Sequence, residues 1–143
     1  MGDAGSVPGV LFVCVHNAGR SQMAAAFFNA LADPAKVRAA SAGTEPADRV
    51  HPEVVAVMRE VGIDLSRATP ARLTHDLAAA SHLLVTMGCG EACPVVPGLK
   101  RDDWPIENPK GKTIERVRAI RDEIRARVEQ LITAEGWRAL SSR

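Results

Sequence analysis

The sequence predicts one α/β domain, a parallel sheet covered by helices on both faces. Apolar, β-branched runs alternate along the chain with segments whose apolar residues recur at helical spacing, the order that joins parallel strands through crossovers. The first run ends in a cysteine just before a helix, which puts a reactive group at the carboxyl end of a strand, where such sheets bind ligands. At 143 residues the chain can bury a sizeable core, and no repeat or domain boundary divides it. The whole of 1–143 is therefore expected to be a single domain, with 1–8 flexible.

The elements follow in order. Residues 11–15 (Leu-Phe-Val-Cys-Val) have the length and branching of a buried strand. Ser21 opens a helix whose apolar side carries Met23, Phe27, Phe28 and Leu31, and Asp33-Pro34 stops it. Residues 37–42 read as a short second strand. Pro52 suits a helix start, with Val54, Val55, Met58 and Val61 as the apolar face and Gly62 as the end. Thr74 or Asp76 caps a short helix reaching Ala80, and residues 82–87 form a third, buried strand. The loop 88–111 is expected to hold a short fourth strand near Val95. Ile114, Val117, Ile120, Ile124, Val128 and Leu131 then mark a long final helix with Thr113 as its cap.

Chemistry concentrates between the first strand and the first helix. A cysteine is followed six positions later by an arginine in Cys14-Val15-His16-Asn17-Ala18-Gly19-Arg20-Ser21. The loop turns through Asn17 and Gly19, residue types that tolerate φ > 0. A loop that runs into a helix N-terminus aims unpaired N–H groups inward, and the helix dipole adds positive charge. Val15, His16, Asn17, Ala18, Gly19 and Arg20 are thus the expected cradle of a tetrahedral oxyanion. The same field stabilises a thiolate, which makes Cys14 the expected nucleophile. Arg20 offers a planar, permanently charged fork to two oxygens of the anion. Ser21 can donate its hydroxyl to the sulfur. No Gly-Lys-Ser/Thr follows, so this is not a nucleotide P-loop, and the dinucleotide glycine spacing is missing.

Composition closes several other routes. The net charge is +1 and charged residues make up 24%, which gives no footprint for nucleic acid or an acidic membrane. No run approaches a membrane span, and the start of the chain lacks the basic and apolar regions of a signal peptide. With three cysteines, an odd number, a stapled extracellular scaffold is not expected; the protein is expected to be cytoplasmic and monomeric. Cys89 and Cys93 lie just past the third strand, on the same sheet edge as Cys14. They suit a relay in which Cys14 attacks the central atom of the oxyanion, Cys89 attacks the adduct, and Cys93 resolves the disulfide. A zinc site would need a second ligand pair that the neighbouring sequence lacks. His16, His51, His75 and His82 are scattered and are expected to be surface or core residues.

Val10-Leu11-Phe12-Val13-Cys14 through Arg20-Ser21-Gln22-Met23-Ala24 resembles the thioredoxin-coupled arsenate reductases, which share the low-molecular-weight tyrosine phosphatase fold. The similarity continues through Ser41-Ala42-Gly43-Thr44, Val61-Gly62-Ile63-Asp64-Leu65-Ser66, Val85-Thr86-Met87-Gly88-Cys89, Asp103-Trp104 and the terminal helix. The resemblance implies a three-layer, four-stranded parallel sheet and reduction of arsenate to arsenite. It makes Cys14, Cys89 and Cys93 the nucleophile, relay and resolving thiols. It also implies phosphate or sulfate as competing anions and no tightly bound cofactor. An external thiol reductant would be thioredoxin, with thioredoxin reductase and NADPH behind it; glutaredoxin with glutathione or a mycothiol system would leave little trace in the chain. Two positions depart from the family. Its general-acid aspartate is Asn108 here, before Pro109, and an asparagine has no proton to give at neutral pH. Glu107, Asp102 and Asp103 are the candidate substitutes, with water as the alternative. Some relatives bind potassium near the loop. Asn17, Ser41 and Asp64 match those ligands, but the glutamate position is Ala25, so weak or no potassium dependence is expected.

Two other functions fit the loop. A phosphomonoesterase is one, since phosphate and arsenate share shape and charge, but hydrolysis needs neither Cys89 nor Cys93 and the chain has no Tyr to wall a phenyl ring. A weakly active arsenic- or oxyanion-binding protein is the other, supported only by Asn108.

Overall fold

A computed structural model describes residues 9–88 and 96–139. Strands β1 (Gly9–Cys14), β2 (Arg38–Gly43), β3 (Leu83–Thr86) and β4 (Lys100–Asp103) form one sheet in the order β2-β1-β3-β4. Every pairing is parallel, with Cys14 opposite Gly43, Val13 opposite Thr86, and Thr86 opposite Asp103. The helices are α1 (Arg20–Leu31), α2 (Pro52–Glu60), α3 (His75–Ala79) and α4 (Ile114–Glu135). This is the three-layer α/β architecture that the alternation of apolar runs implies.

The period-2 alternation of a strand divides β1 between two cores. Val10, Phe12 and Cys14 enter the larger one with Met23, Phe27 and Phe28 of α1 and Val117, Ile120 and Ile124 of α4. Leu11 and Val13 enter the smaller one with Ala42, Leu84 and Ala78 of α3. At the centre of the larger core the Phe12 ring lies 6.0 Å from Phe28 and 5.6 Å from Trp104, centroid to centroid. Cys14 is therefore packed from below by the main core, and its neighbours on the sheet fix its height.

The helix ends agree with the sequence. Thr74 and Thr113 accept the N–H of Leu77 and Arg116, respectively, as N-caps. Gly62 (φ 84) and Gly136 (φ 74) follow α2 and α4 in the left-handed conformation that glycine tolerates.

The fourth strand is Lys100–Asp103, within the 88–111 loop, and Val95 lies outside the described residues. All four of its residues are exposed. As an edge strand it pairs with β3 alone and turns no face into the core, so no apolar pattern marks it, and its charges guard the open edge. A correction concerns Gly19. Of the two loop residues expected to turn with positive φ, only Asn17 does (φ 51), while Gly19 has φ −147. Gly19 is glycine for space: a Cβ there would stand 2.9 Å from Pro109 Cγ.

Candidate active site

The loop from β1 to α1 is held by its carbonyls. The C=O groups of Cys14, Val15, His16 and Ala18 accept the N–H groups of Thr44, Glu45, Ala47 and His51. The segment after β2 thus pulls every one of these oxygens outward. The loop N–H groups face the other way: from His16 through Gln22, none has an acceptor among the described residues. Gly19 caps α1 without a side-chain bond, which leaves the positive helix end open. Gly43 makes the closeness possible, since a Cβ there would lie 2.7 Å from Val15 O and 2.9 Å from Asn17 N. These features leave the N–H side of the loop open at Val15, His16, Asn17, Ala18, Gly19 and Arg20, the residues expected to cradle an anion.

Cys14 sits at its floor, 2% exposed. Its Sγ lies 2.9 Å from Ser21 Oγ. The direction of that hydrogen bond follows from a chain of partners that starts on the backbone. Ala71 N–H donates to Asn17 Oδ1 at 2.8 Å, which fixes the Asn17 amide, because a peptide N–H only donates. Asn17 Nδ2 must then donate to Ser21 Oγ, at 2.6 Å. Ser21, having accepted there, turns its own proton to the sulfur. Gln22 Nε2 completes the frame by donating to Asn17 Oδ1 at 3.1 Å and to Thr69 O at 3.2 Å. The expected Ser21–Cys14 contact is present. The sequence reading missed Gln22, whose signal was a polar residue in the buried first turn of a helix.

Arg20 is buried, and its Nη1 donates to Ile106 O at 3.1 Å. Desolvation lowers its pKa from the usual guanidinium value, and the neighbouring Cys14 opposes that shift; a guanidinium remains charged regardless. Gly88 (φ 96) lies against the fork, where a Cβ would collide with Nη1. Arg20 is thereby aimed by two loops, 88 and 106, neither of which the cysteine motif contains.

The substitutes for the missing acid are placed poorly for that task. Asn108 Oδ1 accepts Lys110 N–H at 3.0 Å, the turn that seats Pro109 on Gly19. Glu107 is bound by Arg116 and Lys112, and the Arg116 hydrogen bond holds its carboxyl below the ordinary range. Asp103 accepts the Thr86 hydroxyl and is lowered chiefly by it. Glu107 and Asp103 therefore hold no proton at neutral pH. Asp102 accepts the Trp104 indole N–H at 3.0 Å on the edge strand.

The potassium ligands do not fit a cation. Both lone pairs of Asn17 Oδ1 are taken by Gln22 and Ala71. Asp64 Oδ1 accepts Ser66 N–H and faces Arg59 at 4.0 Å. Ser41 stands on β2 opposite Phe12, and Ala25 offers no oxygen. Among the described residues no cluster of three His, Cys, Asp or Glu side chains is suited to a metal, and no helix is long and apolar enough to cross a membrane. Cys89 and Cys93 lie outside the described residues.

A model described as low molecular weight phosphotyrosine protein phosphatase matches residues 9–140. The chain belongs to that family. Within the low-molecular-weight phosphatase family it is similar to proteins named for a different reaction. A putative arsenate reductase of Halobacterium salinarum is 42% identical over 126 residues, 84% of this chain and 87% of that protein. A glutaredoxin arsenate reductase of Synechocystis is 38% identical over 126 residues, 86% of this chain and 95% of that one. The solved thioredoxin-dependent arsenate reductase of Corynebacterium glutamicum superposes with a TM-score of 0.77 at 42% identity, covering 90% of this chain; this chain spans 61% of that one.

Proposed function

We propose that this low-molecular-weight phosphatase-family protein reduces arsenate to arsenite. Cys14 attacks the arsenic held by the loop and Arg20, forming an S–As bond as one oxygen leaves as water. Cys89 then attacks Cys14 Sγ. Arsenic departs with the electron pair as arsenite, and a Cys14–Cys89 disulfide remains. Cys93 attacks Cys89, frees Cys14 and leaves a Cys89–Cys93 disulfide for an outside thiol reductant of the thioredoxin class.

The observation that carries this reading is the parallel pairing of β1 with β3. Val13 lies opposite Thr86, and Gly88 touches Arg20, so the chain that next presents Cys89 leaves the sheet beside the anion loop. The names of the relatives favour the same chemistry. A phosphomonoesterase is the second reading, since the cradle alone takes phosphate as well. Against it, the cavity beside the loop is lined by charged groups such as Glu45, Asp48 and Arg72, with no phenyl or indole ring among its lining residues.

Arsenate-dependent oxidation of NADPH, coupled through thioredoxin and thioredoxin reductase, tests the proposal. Turnover is expected in the wild type and is expected to vanish in Cys14→Ser, Cys89→Ser and Cys93→Ser. Full multiple turnover in both Cys89→Ser and Cys93→Ser removes the relay. Equal cleavage of an aryl phosphate by wild type and Cys89→Ser, without arsenate turnover, establishes the phosphatase.

A further inference from the structure

We propose that Gln22 is a positioning residue for Cys14: its amide locks the Asn17 amide in the one orientation that sends the Ser21 hydroxyl proton to the sulfur. The inference deepens the reductase reading and rests on its choice of Cys14 as nucleophile, which the phosphatase reading shares.

The chain of partners behind Cys14 has its weak point at Asn17. Asn17 Nδ2 lies 2.6 Å from Ser21 Oγ, a distance that suits an O–H···O bond equally well. With the amide turned over, Oδ1 would face Ser21 and take its proton. Cys14, 2.9 Å from Ser21 Oγ, would then lose its donor. Whatever holds Asn17 Oδ1 in place therefore decides where the hydroxyl points. Two N–H groups do so, Ala71 N at 2.8 Å and Gln22 Nε2 at 3.1 Å. Gln22 is fixed in turn, because the Thr69 carbonyl 3.2 Å from Nε2 only accepts.

These four residues close a ring. Thr69 and Ala71 belong to one limb that the sheet holds: Gly43 N–H donates to Ala71 O, and Leu73 N–H to Gly43 O, each at 2.8 Å. Gln22, in the first turn of α1, bridges that limb to Asn17. Its donation to Oδ1 also polarises the Asn17 amide and strengthens the N–H offered to Ser21. Asn17 and Ser21 are fully buried and Gln22 is 7% exposed, so water competes little for these bonds. The charged group beside Cys14 is Arg20. Gln22 carries no charge and acts on the sulfur through direction alone.

The test is a mutant cycle that combines Gln22→Met, of similar length but without a donor, with Ser21→Ala. Alkylation by iodoacetamide near neutral pH is followed on the peptide that carries Cys14, and affinity for inorganic phosphate is measured beside it. Gln22→Met is expected to slow alkylation about fivefold, the yield of one net hydrogen bond, with phosphate affinity unchanged. In the Ser21→Ala background it is expected to slow alkylation no further, because the donor it aims is gone. Gln22→Glu keeps the shape and reverses the polarity. It is expected to slow alkylation more than Gln22→Met, and by a smaller factor once Ser21 is removed; its added charge acts in both backgrounds and cancels in the comparison. A wild-type rate in both variants overturns the proposal. So does an equal fold slowing with and without Ser21, the mark of a merely loosened loop, and so does a matching loss of phosphate affinity in Gln22→Met. Alkylation needs no arsenate, so each of these outcomes leaves the reductase reading standing. A wild type that forms no arsenite while the cycle behaves as expected removes the reductase reading alone.

Discussion

At the scale of single residues, the site depends on hydrogen bonds whose directions are dictated by the backbone. Ala71 N–H orients Asn17, Asn17 orients Ser21, and Ser21 donates to Cys14. Ser21→Ala removes the last donor and leaves Asn17 Nδ2 buried without a partner. Alkylation of Cys14 by iodoacetamide is expected to slow about tenfold near neutral pH, the kinetic equivalent of a net bond of about 1–2 kcal/mol. Unfolding in urea is expected to register a loss of about 1–3 kcal/mol from the orphaned amide. An unchanged alkylation rate removes Ser21 from the account. Cys14, Arg20 and Ser21 were legible in the sequence because a strand, a short loop of fixed spacing and a helix leave few other arrangements. Gly43 and Gly88 were not legible in these roles. Each is glycine because the β1–α1 loop or an arginine passes too close for a Cβ, and such crowding exists only once the chain is folded.

Among the elements, the helices declared themselves and β4 did not. Helices α2 and α4 carry an apolar face at regular spacing, and Thr113 before α4 is a residue type that satisfies free N–H groups. Lys100–Asp103 has no inward face to advertise. One contact between elements makes a measurable claim. Glu60, at the end of α2, accepts Arg118 Nη2 at 2.8 Å and Arg121 Nη1 at 2.8 Å from α4. Arg121 Nη1 also donates to Val57 O at 2.9 Å and so ties the two helices together. The Arg118 hydrogen bond leads in pulling the Glu60 carboxyl from its ordinary 4.5 down to about 2. A depressed carboxyl stabilises the fold fully above its ordinary value and loses that contribution as pH falls through the lower one. Thermal unfolding of wild type and Glu60→Gln is therefore expected to differ above pH 4.5 and to converge toward pH 2. A Tm difference that stays constant across this window contradicts the ion-pair assignment.

For the whole molecule, topology brings the parts of the site together. β1 and β3 are neighbours in a parallel sheet, so their carboxyl ends share one edge. One end carries Cys14 and the anion loop; the other leads to Gly88 and then, in sequence, to Cys89. The larger core beneath holds Phe12, Phe28 and Trp104 in contact and anchors both. The fold class was legible from the alternation of apolar runs, and Cys14 as the proposed nucleophile from the loop that follows it. The order of strands was not, because no residue pattern states which strand lies beside which. The most direct test of the proposed relay is a single turnover without any external reductant. Reduced protein mixed with arsenate is expected to release one arsenite per chain, lose two thiols and yield a Cys89–Cys93 disulfide on peptide mapping, and Cys14→Ser is expected to release none. Retention of all three thiols with no arsenite formed contradicts the account.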